Sequence, residues 1–341
     1  MLDPLSFPFS KTPEPGCLSQ VAPGVQWARM PMPFRLDHVN VWLLEDGDGW
    51  AAVDTGYPLE DNAKLWEELL AGGDLPGGLS RMICTHYHPD HVGLCGWLCK
   101  NHGIELTATF SEWAMGRLMS MGGFTSGPMM EEFYRLAGCE AGKVRDYSQV
   151  RQSNPFKEYG ALPSAFRCMA DEDELELGAY RWRVLVVEGH APEQACLFCD
   201  ELNLLIAGDQ VLPYITPNIT VHANMPHANP LKEFLNSFAK LAQLPRDVLV
   251  LPSHGIPFHG LHQRLEDFKT HHDKRLATAL EACAKPSTGL QVMRHMFPAK
   301  LEGMDFFFAL GEALAHLHYL EADGSIQRGA QADGVHLFEE V

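Results

Sequence analysis

Six consecutive residues, His86-Tyr87-His88-Pro89-Asp90-His91, hold three imidazoles and a carboxylate. They stand directly behind Thr85 and the apolar run Arg81-Met82-Ile83-Cys84. Imidazole and carboxylate are the usual ligands of zinc and similar divalent metals. His86 and His88 are alternate residues of an extended segment, so their rings project the same way. Asp90 is placed to cap a helix read over Val92 to Asn101, which leaves His91 in its first turn. A polar loop rich in histidine is the plainer alternative in a chain with 17 His. An H-x-H-x-D-H pattern behind an apolar strand favours metal binding over that alternative.

A site for two metals needs more ligands than one motif supplies, and three later apolar strands each end in a suitable residue. They read Val187-Glu188-Gly189-His190, Leu205-Ile206-Ala207-Gly208-Asp209 and Leu251-Pro252-Ser253-His254-Gly255. An earlier strand, Trp50 to Val53, ends in Asp54-Thr55-Gly56. Strand ends on a rigid sheet hold a constellation more firmly than free loops do.

With these residues together the sequence resembles the metallo-β-lactamase-fold hydrolases over about residues 35–260. The resemblance implies an α/β fold, a four-layer αβ/βα metallo-β-lactamase sandwich, with a glyoxalase-II-like ligand set. It implies His86, His88 and His190 on a first metal, Asp90, His91 and His254 on a second, and Asp209 bridging both. Asp54 would orient a ligand histidine and fix its tautomer. The implied cofactors are two divalent ions, zinc first, with iron or manganese as alternatives. The implied chemistry is attack on an acyl carbonyl by a hydroxide held between the metals, with the metals stabilising the oxyanion. Asp90 and Asp209 would be the catalytic carboxylates, Asp90 as a proton acceptor. Two departures narrow the branch. His88 stands where flavodiiron oxidoreductases carry Glu, and Asp209 is a bridging carboxylate that true β-lactamases lack. His254 lies in Pro-Ser-His-Gly where many relatives have Pro-Gly-His-Gly, which leaves the ligand in place.

The elements that must position these residues can be read in outline. Val39 to Leu44 and Trp50 to Val53 form a hairpin around Asp46-Gly47-Asp48-Gly49, and Leu59 to Leu70 has helical spacing. Strands are expected at Ile104 to Thr109, Asp173 to Leu177, Tyr180 to Val187, Ala195 to Cys199, Asn203 to Ala207 and Val248 to Leu251, with a helix over Leu231 to Leu244. Residues 1–20 carry four Pro and read as an irregular lead-in. Residues 111–165, rich in Met and Gly, read as a helical insertion, either a lid lining an apolar pocket or plain packing. The division expected is a catalytic domain over 1–262 and a C-terminal domain over 263–341. The latter holds helices at Gly289 to Met296 and Phe306 to Leu320 and a hairpin near 325–338. It resembles the winged-helix-like appendage of one branch of the family, which includes β-lactamase-like protein 2.

Composition bounds the rest. The chain has 341 residues and a formal net charge of −18, which repels phosphate backbones and anionic lipids, so DNA and membrane partners are not expected. No apolar run reaches the roughly 18–20 residues that span a bilayer, and the N-terminus lacks signal-peptide character. Nine scattered Cys suit a reducing compartment, the cytoplasm. Cys196-Leu197-Phe198-Cys199 reads as buried strand rather than as a redox pair.

The leading expectation is hydrolysis of a small-molecule acyl thioester, ester or lactone. The alternatives are an endoribonuclease of the same fold and a mononuclear-iron persulfide dioxygenase-like oxidoreductase, since fold does not choose among them. Homodimerisation is left open. Tyr214, soon after Asp209, is a candidate to reach a substrate carbonyl, or else an ordinary surface or core tyrosine. His222 and His227 either border the cleft or are solvated. His259 and His262 are given no role. Lys274 and Arg275, beside His271 and His272, could hold an anionic tail, although a solvated helix face is the preferred reading.

Overall fold

The computed structural model describes residues 4–123, 127–140, 142, 144 and 156–341. They form two compact units: residues 1–122, 155–217 and 239–265, and residues 123–154, 218–238 and 266–341.

The first unit holds two mixed sheets flanked by helices, the αβ/βα sandwich. The seven strands of the first sheet lie in chain order: β1 (Ser19–Ala22), β2 (Val25–Pro31), β3 (His38–Asp46), β4 (Gly49–Val53), β5 (Leu79–Ile83), β6 (Glu105–Ala108) and β7 (Arg167–Cys168). Pairing is antiparallel from β1 to β4 and parallel from β4 to β7. The second sheet runs β12 (Leu249–Pro252), β11 (Leu204–Gly208), β10 (Gln194–Cys199), β9 (Tyr180–Val187), β8 (Glu174–Leu177), with only β11 and β12 parallel.

Alternation along these strands explains the layering, because successive side chains face opposite sides of a sheet. Trp27, Trp42 and Val53 of the first sheet and Trp182, Leu197 and Ile206 of the second share one buried cluster. Neighbouring positions on the first sheet, such as Val41, Leu43 and Met82, join a second cluster with Trp66 and Leu69 of α1 (Glu60–Ala71) and Leu98 of α3 (Cys95–His102). The short helix α2 (Pro89–Val92) precedes α3. α4 (Phe110–Ser120) follows β6 and belongs to the same unit.

The second unit contains α5 (Pro128–Leu136), α8 (Gly289–Met296), α9 (Gly303–Ala322) and the hairpin of β13 (Ile326–Ala330) and β14 (His336–Glu340), a distinct helix-and-strand appendage. α6 (Pro230–Leu241) and α7 (Leu261–Ala282) each carry residues of both units. Thr288 caps α8 in a full capping box with Gln291, the reciprocal pair that satisfies two orphan donors at once. No helix among the described residues is long and apolar enough to cross a membrane.

Several expectations need correction. The helix read over Val92–Asn101 is two helices, α2 and α3. Asp90 does not cap either: Pro89 occupies the first helical position, so His88 is the cap residue and Asp90 lies inside the first turn. β1, β2 and β7 were not anticipated; β2 carries the Trp27 and Met30 that fill both faces of the sheet. In the insertion, Met119 packs on the core and Met130 is buried, whereas Met121 and Met129 are exposed. Residues 124–126, 141, 143 and 145–155 of it lie outside the described residues.

Candidate metal centre

Every residue of the expected site lies in the first unit, just beyond the C-terminal end of a strand. Asp54 follows β4, the H-x-H-x-D-H stretch follows β5, His190 follows β9, Asp209 follows β11 and His254 follows β12. The two sheets therefore aim these side chains into one volume.

Two groups of donor atoms converge there. His86 Nε2 lies 3.0 Å from His88 Nδ1 and 3.3 Å from His190 Nε2. Asp90 Oδ2 lies 3.5 Å from His91 Nε2 and 3.3 Å from His254 Nε2. Asp209 faces both groups: Oδ1 is 3.4 Å from His91 Nε2 and 3.3 Å from His254 Nε2, while Oδ2 is 3.3 Å from His190 Nε2. These clusters could hold metal: His86, His88 and His190; His86, His91 and Asp209; and Asp90, His91 and His254 each bring ligand-type atoms within 4.8 Å of one another.

The surroundings fix the tautomers. Asp54 Oδ2 accepts from His91 Nδ1 at 2.7 Å, and Asp54 also accepts from the Thr85 backbone N–H and hydroxyl. Three donors thus converge on a carboxylate held at φ +66° after β4. His254 Nδ1 donates to the His38 carbonyl at 2.7 Å. Because a carbonyl only accepts, the proton of neutral His254 sits on Nδ1 and its Nε2 lone pair points into the site. The same logic leaves the Nε2 lone pair of His91 facing Asp90 and Asp209.

Imidazole nitrogens and carboxylate oxygens facing one another at these distances suit a cation between them. The buried His91 Nε2 and Asp209 Oδ1 face each other at 3.4 Å without a well-formed hydrogen bond, an arrangement that a cation would complete. Burial alone would lower His91, yet Asp90, Asp54 and Asp209 raise it well above its ordinary value. Burial likewise opposes charge on Asp90, but His91 and His254 hold its carboxyl well below the ordinary range. Burial, followed by the neighbouring His91 and His88, pushes His86 well down, which favours the neutral ring with a free lone pair. The donor set fits a pair of divalent metals.

Residues outside the expected set build the frame. His38 accepts from the Gly255 N–H through Nε2 at 2.8 Å, while its carbonyl holds His254. Asn40 donates to the carbonyls of Pro252 and Gly255. β3 thereby grips the 252–255 turn. Glu112 of α4 is wholly buried and accepts from the backbone N–H groups of Tyr87 and Glu193. A glutamate in the first turn of a helix reads from sequence as a partner for the helix dipole, so nothing in the chain's pattern distinguished it.

The other candidates separate. Tyr214 is exposed, stacks on Phe7 at 5.4 Å, and sits beside Gly255, the neighbour of His254. His222 and His227 belong to the second unit. His259 and His262 bond backbone carbonyls of the first unit. Arg275 donates to the Met296 carbonyl and stacks over Phe297, while Lys274 is exposed. Cys196 and Cys199 are buried in β10, their thiols pushed by burial up to about 12 and about 11.

The sandwich and its clustered ligands define a metal-dependent hydrolase. Residues 34–254 match the Metallo-beta-lactamase superfamily, and residues 276–341 match its family of metallo-beta-lactamase-like C-terminal domains. The chain belongs to the metallo-beta-lactamase superfamily. A beta-lactamase domain protein from Burkholderia ambifaria is 36% identical and superposes with a TM-score of 0.90, over 99% of this chain and 98% of its own. "Probable metallo-hydrolase YqjP" of Bacillus subtilis (strain 168) is 26% identical over 310 residues, 87% of this chain and 92% of the relative. A shorter stretch of 63 residues is 36% identical to the atrochrysone carboxyl ACP thioesterase nsrC of Aspergillus novofumigatus (strain IBT 16806), covering 18% of this chain and 19% of that one.

Proposed function

We propose that this chain hydrolyses a small acyl thioester, ester or lactone. His86, His88 and His190 would hold one divalent ion, Asp90, His91 and His254 a second, and Asp209 would bridge them. The observation that carries the reading is the two-sided placement of Asp209, whose Oδ1 is 3.3 Å from His254 Nε2 and whose Oδ2 is 3.3 Å from His190 Nε2. The mixed imidazole and carboxylate set suits zinc. When bound, such ions lower the pKa of water towards neutrality and polarise a carbonyl oxygen.

The chain's own residues supply orientation and proton handling. Asp54 holds His91 through Nδ1, and His38 holds His254 through Nδ1, so both rings present Nε2 to the site. Asp90, whose Oδ2 lies 3.5 Å from His91 Nε2 and 3.3 Å from His254 Nε2, is assigned to accept a proton during turnover. Tyr214, exposed beside Gly255, is assigned to contact substrate. The thioesterase activity in the name of the short Aspergillus match supports the thioester arm, and the net charge of −18 weighs against an RNA substrate.

The test is the purified, zinc-loaded enzyme on a panel of acyl thioesters, aryl esters and lactones. Turnover that disappears in Asp209→Ala is expected; inactivity across the panel overturns the proposal. Asp90→Asn removes a ligand of the second ion and, assayed at saturating zinc where both ions are bound, should lose kcat by about 100-fold or more. Full kcat in that variant would remove the proton-accepting role.

A further inference from the structure

Glu112 connects two parts of the site that are distant in sequence. Its Oε2 accepts from the N–H of Tyr87, the residue between His86 and His88, at 2.9 Å. Its Oε1 accepts from the N–H of Glu193, three residues beyond His190, at 2.7 Å. Glu193 answers from its side: its Oε2 accepts from Ser111 N at 2.8 Å and its carbonyl from Thr109 Oγ1 at 2.8 Å. The first turn of α4 is thus bonded to the His190 loop three times and to the H-x-H segment once.

The chemistry asks for a carboxylate here. Two backbone N–H groups pointing inward need two acceptors on one short side chain, and only Asp or Glu offers two oxygens without a donor. Glu112 has 0% exposure, and burying a carboxyl is costly unless hydrogen bonds such as these compensate it. Burial pushes this carboxyl up to about 7, against the pull of the Glu193 and Tyr87 amides.

We infer that Glu112 is a positioning residue that sets His190 against His86 and His88, and so governs one of the two metal positions. Asp54 sets His91, and governs the other. This inference rests on the dinuclear reading above.

The experiment measures zinc stoichiometry and affinity by chelator competition in the full-length wild type, E112Q, D54N and the double variant, with amide hydrogen exchange on each metal-free protein. A glutamine at 112 places an amide N–H against one of the two backbone donors, so one bond is lost while the fold is kept. In E112Q one ion should weaken by about 10-fold or more while the other stays within about twofold, and the double variant should weaken both. The amides of Tyr87 and Glu193 should lose protection together in E112Q and keep it in D54N. Two ions at wild-type affinity in E112Q, or equal weakening of both, overturns the inference. Wild-type protein that takes up fewer than two ions fails the dinuclear reading instead. Exchange then decides the clamp, and unchanged protection at Tyr87 and Glu193 overturns it.

Discussion

The carboxylate of Asp54 and the imidazole of His91 meet at 2.7 Å, Oδ2 to Nδ1, both buried. This bond makes His91 present Nε2 to Asp90 and Asp209. Replacing Asp54 with Asn puts an amide against the Thr85 donors or the His91 N–H. The expected cost is about 10–100-fold in zinc affinity with the fold retained, read by chelator competition beside circular dichroism. Unchanged affinity would show that the tautomer is held by other means.

Removing metal should destabilise the first unit. Ligand atoms that repel one another in the folded state are neutralised when a cation binds, and mass action then favours the fold. Each ion at about 100-fold its Kd adds about 2.7 kcal/mol. Calorimetry with and without chelator should show a lower Tm in chelator that zinc restores. A Tm indifferent to zinc would contradict the arrangement of Asp209.

Gly93 follows the metal-binding stretch where two turns meet. A Cβ there would lie 2.3 Å from Pro58 Cδ and 2.7 Å from the Gly56 carbonyl oxygen. Gly93→Ala should therefore cost about 1–3 kcal/mol, and it pushes the Asp54–Pro58 turn away from His91. Urea unfolding reads the first effect and zinc stoichiometry the second. Wild-type values of both would mean that the turn yields freely.

In the second unit, His272 and His316 form a buried chain. His272 Nδ1 lies 3.2 Å from His316 Nε2, and His316 Nδ1 donates to the Glu312 carbonyl. Burial pushes His272 from 6.5 down to about 3, and His316 down to about 4. Between those values and 6.5 the unfolded chain binds more protons, so stability is present above pH 6.5 and is lost as pH falls. Glu312, pushed by burial from 4.5 up to about 7, acts oppositely between those two values, and offsets one of the two imidazoles. The contribution of these three groups to the unfolding free energy should thus fall from pH 6.5 towards 4, most steeply below 4.5. His272→Gln should flatten the slope by up to one proton, about 1.4 kcal/mol per pH unit. Parallel slopes for variant and wild type would contradict the neutral pair.

Tyr214 offers a test of substrate contact. Its ring stacks on Phe7 and stands over Gly255, next to His254 rather than among the ligands. Tyr214→Ala should raise KM by about 10-fold and leave zinc content unchanged, the signature of lost binding rather than lost chemistry. Unchanged KM across the active substrates would return this residue to the surface.

The ligand-type residues were legible in the chain because each stands at a strand end with its own local signature. H-x-H-x-D-H is a compact motif that falls in the bend between β5 and α2 and the first turn of that helix, and His190, Asp209 and His254 follow apolar runs that announce themselves. The C-terminal appendage was legible through helical spacing and a hairpin pattern. The tertiary structure alone decided which groups hold the ligands. Glu112, His38 and Asn40 each make two hydrogen bonds to groups 25 to 217 positions away in sequence, and no periodicity records a contact of that kind. The stretch His86 to His91 by itself marked the metal-ligand type of the site, while its geometry depends on neighbours that only the packing of two sheets and α4 brings to it.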